Sequence, residues 1–405
     1  MQTTLAPAIR NTAMGREADA ILRTCVHCGF CNATCPTYLL TGDELDGPRG
    51  RIYLIKQALE GQAVSRQTLT HLDRCLTCLA CETTCPSGVR YHELLETGRE
   101  QVERVAGRPW QARLIRWLLR QTIPYRNRFT VLLRIGQLLR PVLPPGLRKK
   151  IPAYRRTAPW PVTRHARSML ILEGCAQPTI APEINTAAVR VLDRLGISVI
   201  RASAAGCCGA ASHHTSGTRE ARDSARQLID AWWPRIERGA EAIVMTASGC
   251  GVYVKDYAHL LRDDPAYAER AKWVAAMTRD LGEILATEDL SKLKPVVKKG
   301  MRVAFHSPCS LQHGQGLSGV VEKILRELGF DLAAVPESHL CCGSAGTYSL
   351  LQPDFAGELR RRKLGALQSG APEQIVTANI GCLTHPAPES AVPVRHWIEL
   401  LASDR

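Results

Sequence analysis

The chain of 405 residues has no run of 18 consecutive apolar residues, so no segment is expected to cross a bilayer as a helix. It also lacks a dinucleotide fingerprint: no GxGxxG follows a strand pattern and opens a helix, so flavin or nicotinamide binding by that route is excluded. Its first residues, MQTTLAPAIRNTAMGREADAILR, hold no apolar h-region and no twin arginine, and the expectation is a cytoplasmic location. Acidic residues are missing from one long stretch. None lies between Glu103 and Glu173, while Arg104 to Arg167 hold 16 Lys and Arg. The formal net charge of +14 is therefore concentrated in one block, and the rest of the chain is slightly acidic. No recognition fold or aromatic-basic platform accompanies that charge, so nucleic acid is not an expected partner.

Cysteine, in contrast, is abundant, with 16 in the chain. Disulfide-stapled scaffolds are short and secreted, so in a long chain expected in a reducing compartment these cysteines are read as thiolates for metal. The length predicts two to four domains.

Two motifs carry the chemistry. CVHCGFCNATCP supplies Cys25, Cys28, Cys31 and Cys35, and CLTCLACETTCP supplies Cys75, Cys78, Cys81 and Cys85. Two residues between successive cysteines let three thiolates of one short loop reach different corners of one iron-sulfur cube. The cysteine before proline heads away from its own loop toward the other cube. This spacing is that of a two-cluster bacterial ferredoxin. It assigns Cys25, Cys28, Cys31 and Cys85 to one [4Fe-4S] cluster, and Cys75, Cys78, Cys81 and Cys35 to the second. Structural zinc is the competing reading, but the third cysteine and the CP ending, both duplicated, are unusual for zinc. Between the motifs lie Gly47-Pro48-Arg49-Gly50-Arg51 and an amphipathic helix pattern, RIYLIKQALE. Arg49 and Arg51 read either as solvated surface charges or as cations that raise a nearby cluster's potential.

The C-terminal portion is an internal repeat. Cys175 is followed by Cys207-Cys208-Gly209 and Cys250, and Cys309 by Cys341-Cys342-Gly343 and Cys382, at nearly matched spacings. In each copy a short apolar run precedes each cysteine element, and a helical pattern lies between: SMLIL, PEINTAAVRVLDRLG, ISVIRA and AEAIVMTA in the first; RVAFH, LSGVVEKILRELG, FDLAAV and EQIVTAN in the second. Strands alternating with helices imply parallel sheets, whose sites gather at the carboxyl ends of the strands. The expected fold is thus α+β / α/β. A mostly helical ferredoxin-like domain (1–103) and a basic amphipathic connector (104–167) precede two repeated α/β domains with parallel sheets (168–292 and 300–405).

CVHCGFCNATCPTYLLTGDELDGPRGRIYLIKQALEG, followed by the second motif and the two CCG repeats, resembles the iron-sulfur subunits of glycolate oxidase, also called glycolate dehydrogenase, over essentially the whole chain. The architecture is shared with the small subunit of anaerobic glycerol-3-phosphate dehydrogenase, with lactate-utilisation proteins and with heterodisulfide reductases. The TYLLTGDELDGPRGRIYLIK segment favours glycolate. The resemblance implies that FAD-binding partner subunits, of the vanillyl-alcohol-oxidase type, oxidise glycolate to glyoxylate. This chain then passes electrons to a quinone-type acceptor, with no catalytic residue of its own. An L-lactate or glycerol-3-phosphate dehydrogenase subunit is the nearest alternative. A thiol-disulfide enzyme acting at the CCG repeats is an alternative of another class, and a zinc-stabilised scaffold a third.

In heterodisulfide-reductase-type proteins the repeat ends in CxxC and can bind a noncubane cluster. Here Cys250 is followed by Gly251, Val252 and Tyr253, and Cys382 by Leu383, Thr384 and His385, so each copy keeps four thiols. Cys175, Cys207, Cys208 and Cys250, or Cys309, Cys341, Cys342 and Cys382, could ligate a further cluster or zinc, or be buried as small hydrophobes. His385 could supplement the second set. His213, His214, His306, His313 and His339 could shuttle protons, though each alone reads more simply as a surface or hydrogen-bonded residue. In the basic block, Arg113, Arg116 and Arg120 share one side of a helix, and Trp110, Leu114, Trp117 and Leu118 the other. FTVLLRIGQLLR repeats the character. This pattern suits a helix lying in the interface of an anionic inner membrane, or one packing on the ferredoxin-like domain, or one docking an acidic partner.

Overall fold

In the computed structural model, all residues are described except 145, 147, 149–150, 156–157, 297–299 and 403–405. The chain divides into two compact units: Met1–Ile115 together with Glu337–Lys363, and Arg116–Pro336 together with Leu364–Arg405.

The first unit is helical. Its core gathers Ile21 and Leu22 from the Ala13–Thr24 helix, Ile52, Ile55 and Leu59 from Pro48–Leu59, Leu69 and Leu72 from Arg66–Asp73, and Leu94, Leu95 and Val102 from Tyr91–Ala106. Pro48 starts its helix at a position where a missing N–H costs nothing. Gly50, two residues further in, permits close approach: a Cβ there would stand 2.1 Å from the carbonyl oxygen of Glu44. The helix start is thereby pressed against the Glu44–Asp46 turn. Ser65 caps Arg66–Asp73 through a capping box with Thr68, and Arg99 donates to the carbonyls of Leu72 and Cys75 at 2.8 Å each, pinning the approach to the second motif.

The second unit holds two four-stranded parallel sheets of identical topology. β1 (Arg167–Leu172), β2 (Ile197–Arg201), β3 (Ile243–Met245) and β4 (Thr278–Asp280) are ordered β2-β1-β3-β4. β5 (Arg302–His306), β6 (Asp331–Leu332), β7 (Gln374–Thr377) and β8 (Val394–His396) are ordered β6-β5-β7-β8. The repeat is therefore structural as well as sequential. The two sheets share a core in which Met169, Ile171 and Val244 of the first meet Val303, Phe305 and Val376 of the second through intervening helices. Near the pseudo-symmetric centre, the N–H of Gly249 donates to the Asn379 side chain at 3.2 Å, and the hydroxyls of Ser248 and Ser310 lie 2.8 Å apart.

Two strands, β4 and β8, have no counterpart in the sequence reading. Each is three residues long, TRD and VRH, and carries no apolar run to betray it. The connector region forms two helices, Trp110–Thr122 and Arg126–Leu139. Among the described residues no helix is long and apolar enough to cross a membrane.

Candidate functional site

Both cysteine motifs wind in the same way. In the first, His27 and Gly29 have positive φ (56° and 85°). At the equivalent places of the second, Thr77 and Leu79 do (51° and 63°). Only Gly29 adopts this conformation without strain. The β-branched Thr77 and the Leu79 side chain are held there by their surroundings, each at a cost of about 1–3 kcal/mol. A short helix follows each loop, Phe30–Ala33 and Ala80–Thr84, and carries the third cysteine of its motif.

The windings bring the eight thiols together as two sets. Cys25, Cys28, Cys31 and Cys85, with Cys81 at the boundary, line a cleft with about 440 Å³ of empty space. Cys35, Cys75, Cys78 and Cys81 line a neighbouring one of about 380 Å³. Pro48, Cys81 and Tyr91 line both. The first cleft is the more superficial: Cys28 is exposed, as are Val26 and Phe30 beside it, whereas Cys35, Cys78 and Cys81 are buried. Burial holds the thiols up. That of Cys31 is pushed to about 11, Cys25 is raised, and Cys78 and Cys81 stand well above the ordinary range. For Cys78, a negative charge at Cys341 of the second CCG loop adds to the effect of burial. Eight sulfurs with no carboxylate among them form a donor set for soft, thiophilic centres, and the buried thiols need such a centre to ionise. The sets therefore fit iron-sulfur clusters.

Beneath the second cleft lies a polar network that sequence reading missed. Arg51 is fully buried; its Nε donates to the carbonyl of His71 at 2.7 Å, its Nη2 to the Thr37 hydroxyl at 3.1 Å, and its Nη1 stands 4.0 Å from the sulfur of Cys35. Burial works against its charge, but Cys75, Tyr91, Cys35 and Asp46 more than offset that and keep it a cation. Asp46, also fully buried, faces Arg51 at 3.8 Å, the His71 ring at 2.8 Å and Arg74 at 2.8 Å. The sequence marked Arg49 and Arg51 alike, and nothing in the spacing told which would be buried. Arg49 instead pairs with Glu44 at 2.7 Å, and its guanidinium lies over Gly29.

The loop of the second CCG repeat belongs to the first unit. Cys341 and Cys342 are buried there, the Tyr348 hydroxyl donates to the carbonyl of Arg74 at 3.0 Å, and the Arg74 guanidinium sits 4.9 Å above the Phe355 ring. Cys309 and Cys382 belong to the second unit, where the Asn379 amide donates to the Cys382 sulfur at 3.7 Å.

The first repeat is gathered wholly in the second unit. Its thiols form a hydrogen-bonded series, Cys175 to Cys207 to Cys208 to Cys250. The bond to Cys207, with burial, holds Cys175 well above its ordinary range. The Gly209 N–H donates to the Cys207 sulfur at 3.4 Å, and the Tyr257 hydroxyl to the carbonyl of Cys208 at 2.6 Å. His213, His214 and Tyr253 form an aromatic group beside Tyr257, with Tyr253 on the position where a fifth cysteine would complete a CxxC ending. His339 is lowered by burial, and His306 is buried on the end of β5.

Comparison with known proteins agrees in organisation. The 4Fe-4S dicluster domain family matches residues 21–89, and the cysteine-rich domain family matches residues 169–255 and 303–385. The chain is 57% identical over 402 residues to a protein of Escherichia coli (strain K12) named glycolate oxidase iron-sulfur subunit, covering 99% of this chain and 98% of that one. It is 28% identical to a probable glycolate oxidase iron-sulfur subunit of Bacillus subtilis (strain 168), covering 93% and 90%. Lactate utilization protein A of Geobacillus kaustophilus is 27% identical over 203 residues, which cover 50% of this chain and 82% of that protein.

Proposed function

This chain belongs to the family of glycolate oxidase iron-sulfur subunits, and from that membership we propose that it is the electron-transfer subunit of a complex that oxidises glycolate. The single observation that carries the reading is that the eight thiols line two adjoining clefts, with Cys85 of the second motif in the first, Cys35 of the first motif in the second, and Cys81 lining both. Cys25, Cys28, Cys31 and Cys85 would hold one [4Fe-4S] cluster, and Cys35, Cys75, Cys78 and Cys81 the other. Such clusters supply reversible one-electron transfer. FAD-containing partner subunits take two electrons and two protons from glycolate, releasing glyoxylate, and a quinone-type acceptor takes two electrons and two protons to become a quinol. The chain's own residues hold the thiolates, exclude water from the second set and present the first near the surface, where Cys28, Val26 and Phe30 are accessible to a partner. In the first repeat, Cys175, Cys207, Cys208 and Cys250 form a further all-sulfur set suited to a third cluster or a zinc ion.

The acceptor side supports a place on the inner membrane's cytoplasmic face. On Trp110–Thr122 the apolar side is outward: Trp110, Leu114, Ile115, Trp117 and Leu118 are exposed, and it is Arg116 that is buried. Val131, Leu132, Ile135, Leu138 and Leu139 of Arg126–Leu139 are exposed as well. Apolar side chains interleaved with arginine favour the interface of an anionic bilayer.

The test is anaerobic addition of glycolate to the assembled complex, with lactate and glycerol 3-phosphate in parallel, read by the paramagnetic signals of reduced clusters. Glycolate is expected to reduce them. Reduction by lactate alone would assign the chain to the lactate-oxidising relatives.

A further inference from the structure

We propose that the start of the Pro48–Leu59 helix sets the two thiol sets at different reduction potentials, with Arg51 as the residue that raises the potential of the Cys35, Cys75, Cys78 and Cys81 site. The inference rests on the reading that both sets hold iron-sulfur clusters.

Residues two apart on a helix project about 200° from each other. Pro48 stands between the clefts, so Arg49 lines the first and Arg51 the second. Each site thus receives one guanidinium from the same turn of helix, but in different electrostatic settings. The Arg49 side chain is 36% exposed and is met by the Glu44 carboxylate at 2.7 Å, so its charge is both screened by water and balanced. The Arg51 side chain is 0% exposed. Its nearest carboxylate, Asp46, is shared with Arg74. Two guanidinium groups against one carboxylate leave a net positive charge beside Cys35, and the burial of Arg51 and Asp46 keeps its field strong.

A cluster bound by four thiolates becomes more negative on reduction. Burial alone would make the second site the harder to reduce, and a buried cation 4.0 Å from one ligand sulfur, only partly balanced by the shared Asp46 carboxylate, acts in the opposite direction. Arg51 also braces the His71 carbonyl and the Thr37 hydroxyl, so a purely structural role has to be separated from the electrostatic one.

The experiment is an anaerobic redox titration of the full-length cluster-loaded chain, followed by paramagnetic resonance, with iron content measured on each variant. Arg51→Gln is expected to lower one of the two potentials and leave the other in place. Arg74→Gln, at the half-exposed edge of the network, is expected to move the same potential in the same direction by less. Arg49→Gln is expected to move neither appreciably. Should Arg51→Gln lose its cluster, Arg74→Gln alone reads the field. Unchanged potentials in iron-replete Arg51→Gln or Arg74→Gln protein, or a shift in Arg49→Gln as large as in Arg51→Gln, overturn the proposal. An iron-free wild-type chain would instead overturn the cluster reading on which it rests.

Discussion

Cys85 belongs by chain order with Cys75, Cys78 and Cys81, yet it lines the cleft of Cys25, Cys28 and Cys31, and Cys35 lines the other. If ligands are exchanged in this way, pairs of substitutions behave unlike their positions in sequence. Cys28→Ala with Cys85→Ala strikes one site twice and should leave about four iron atoms in the N-terminal motifs. Cys28→Ala with Cys35→Ala strikes both and should leave almost none, as iron analysis would show. Equal losses in the two doubles would contradict the exchange. Spacing made these residues legible, because cluster geometry dictates it. The conformations of Thr77 and Leu79 were not legible, since neither residue type favours a left-handed backbone and only the fold imposes it. Nor was the burial of Asp46 and Arg51, which as charged residues ordinarily face water. A second residue-scale effect concerns acid. His396, buried at the end of β8, has its pKa lowered to about 3 by burial. Its neutral ring stabilises the fold above about pH 6.5, and that contribution is lost as pH falls from there toward 3, because the unfolded chain takes up the proton first. Denaturant titrations of wild type and His396→Gln at pH 7 and pH 5 should show a smaller acid loss in the variant, by on the order of 1–2 kcal/mol.

At the scale of elements, the sequence reading recovered the strands that carry apolar runs and one helix in each repeat, but it passed over the amphipathic helices Ala13–Thr24, Tyr91–Ala106 and Thr218–Ile236, and it missed β4 and β8, whose three residues hold too little pattern. The Trp110–Thr122 helix shows the limit of periodicity in another way. An apolar stripe opposite arginines predicts amphipathicity equally well for a core helix and an interfacial one. Only the structure places Trp117 and Leu118 outward and Arg116 inward. Replacing Leu114, Trp117 and Leu118 by Gln should weaken sedimentation of the cluster-loaded chain with vesicles containing anionic lipid at least several-fold, while leaving iron content unchanged. Equal vesicle binding by the variant would assign these helices to a protein partner instead.

For the whole molecule, the duplicated cysteine spacing was enough to reveal two α/β copies of one topology, but not the placement of the second CCG loop. The segment 337–363 joins the N-terminal unit, so Cys341 and Cys342 lie in the same compact body as the two ferredoxin-type motifs, while Cys175, Cys207, Cys208 and Cys250 gather by themselves in the other. Linear spacing cannot disclose such an exchange, since the two copies read alike along the chain. The first copy therefore has the complete four-thiol set within one unit.

The most direct measurement is iron and acid-labile sulfide per chain in protein purified without oxygen. About eight of each is expected from the N-terminal motifs, rising to about twelve where the first repeat holds a cubane. A folded, colourless chain that carries zinc on its thiolates, or no metal, and no sulfide would contradict the account.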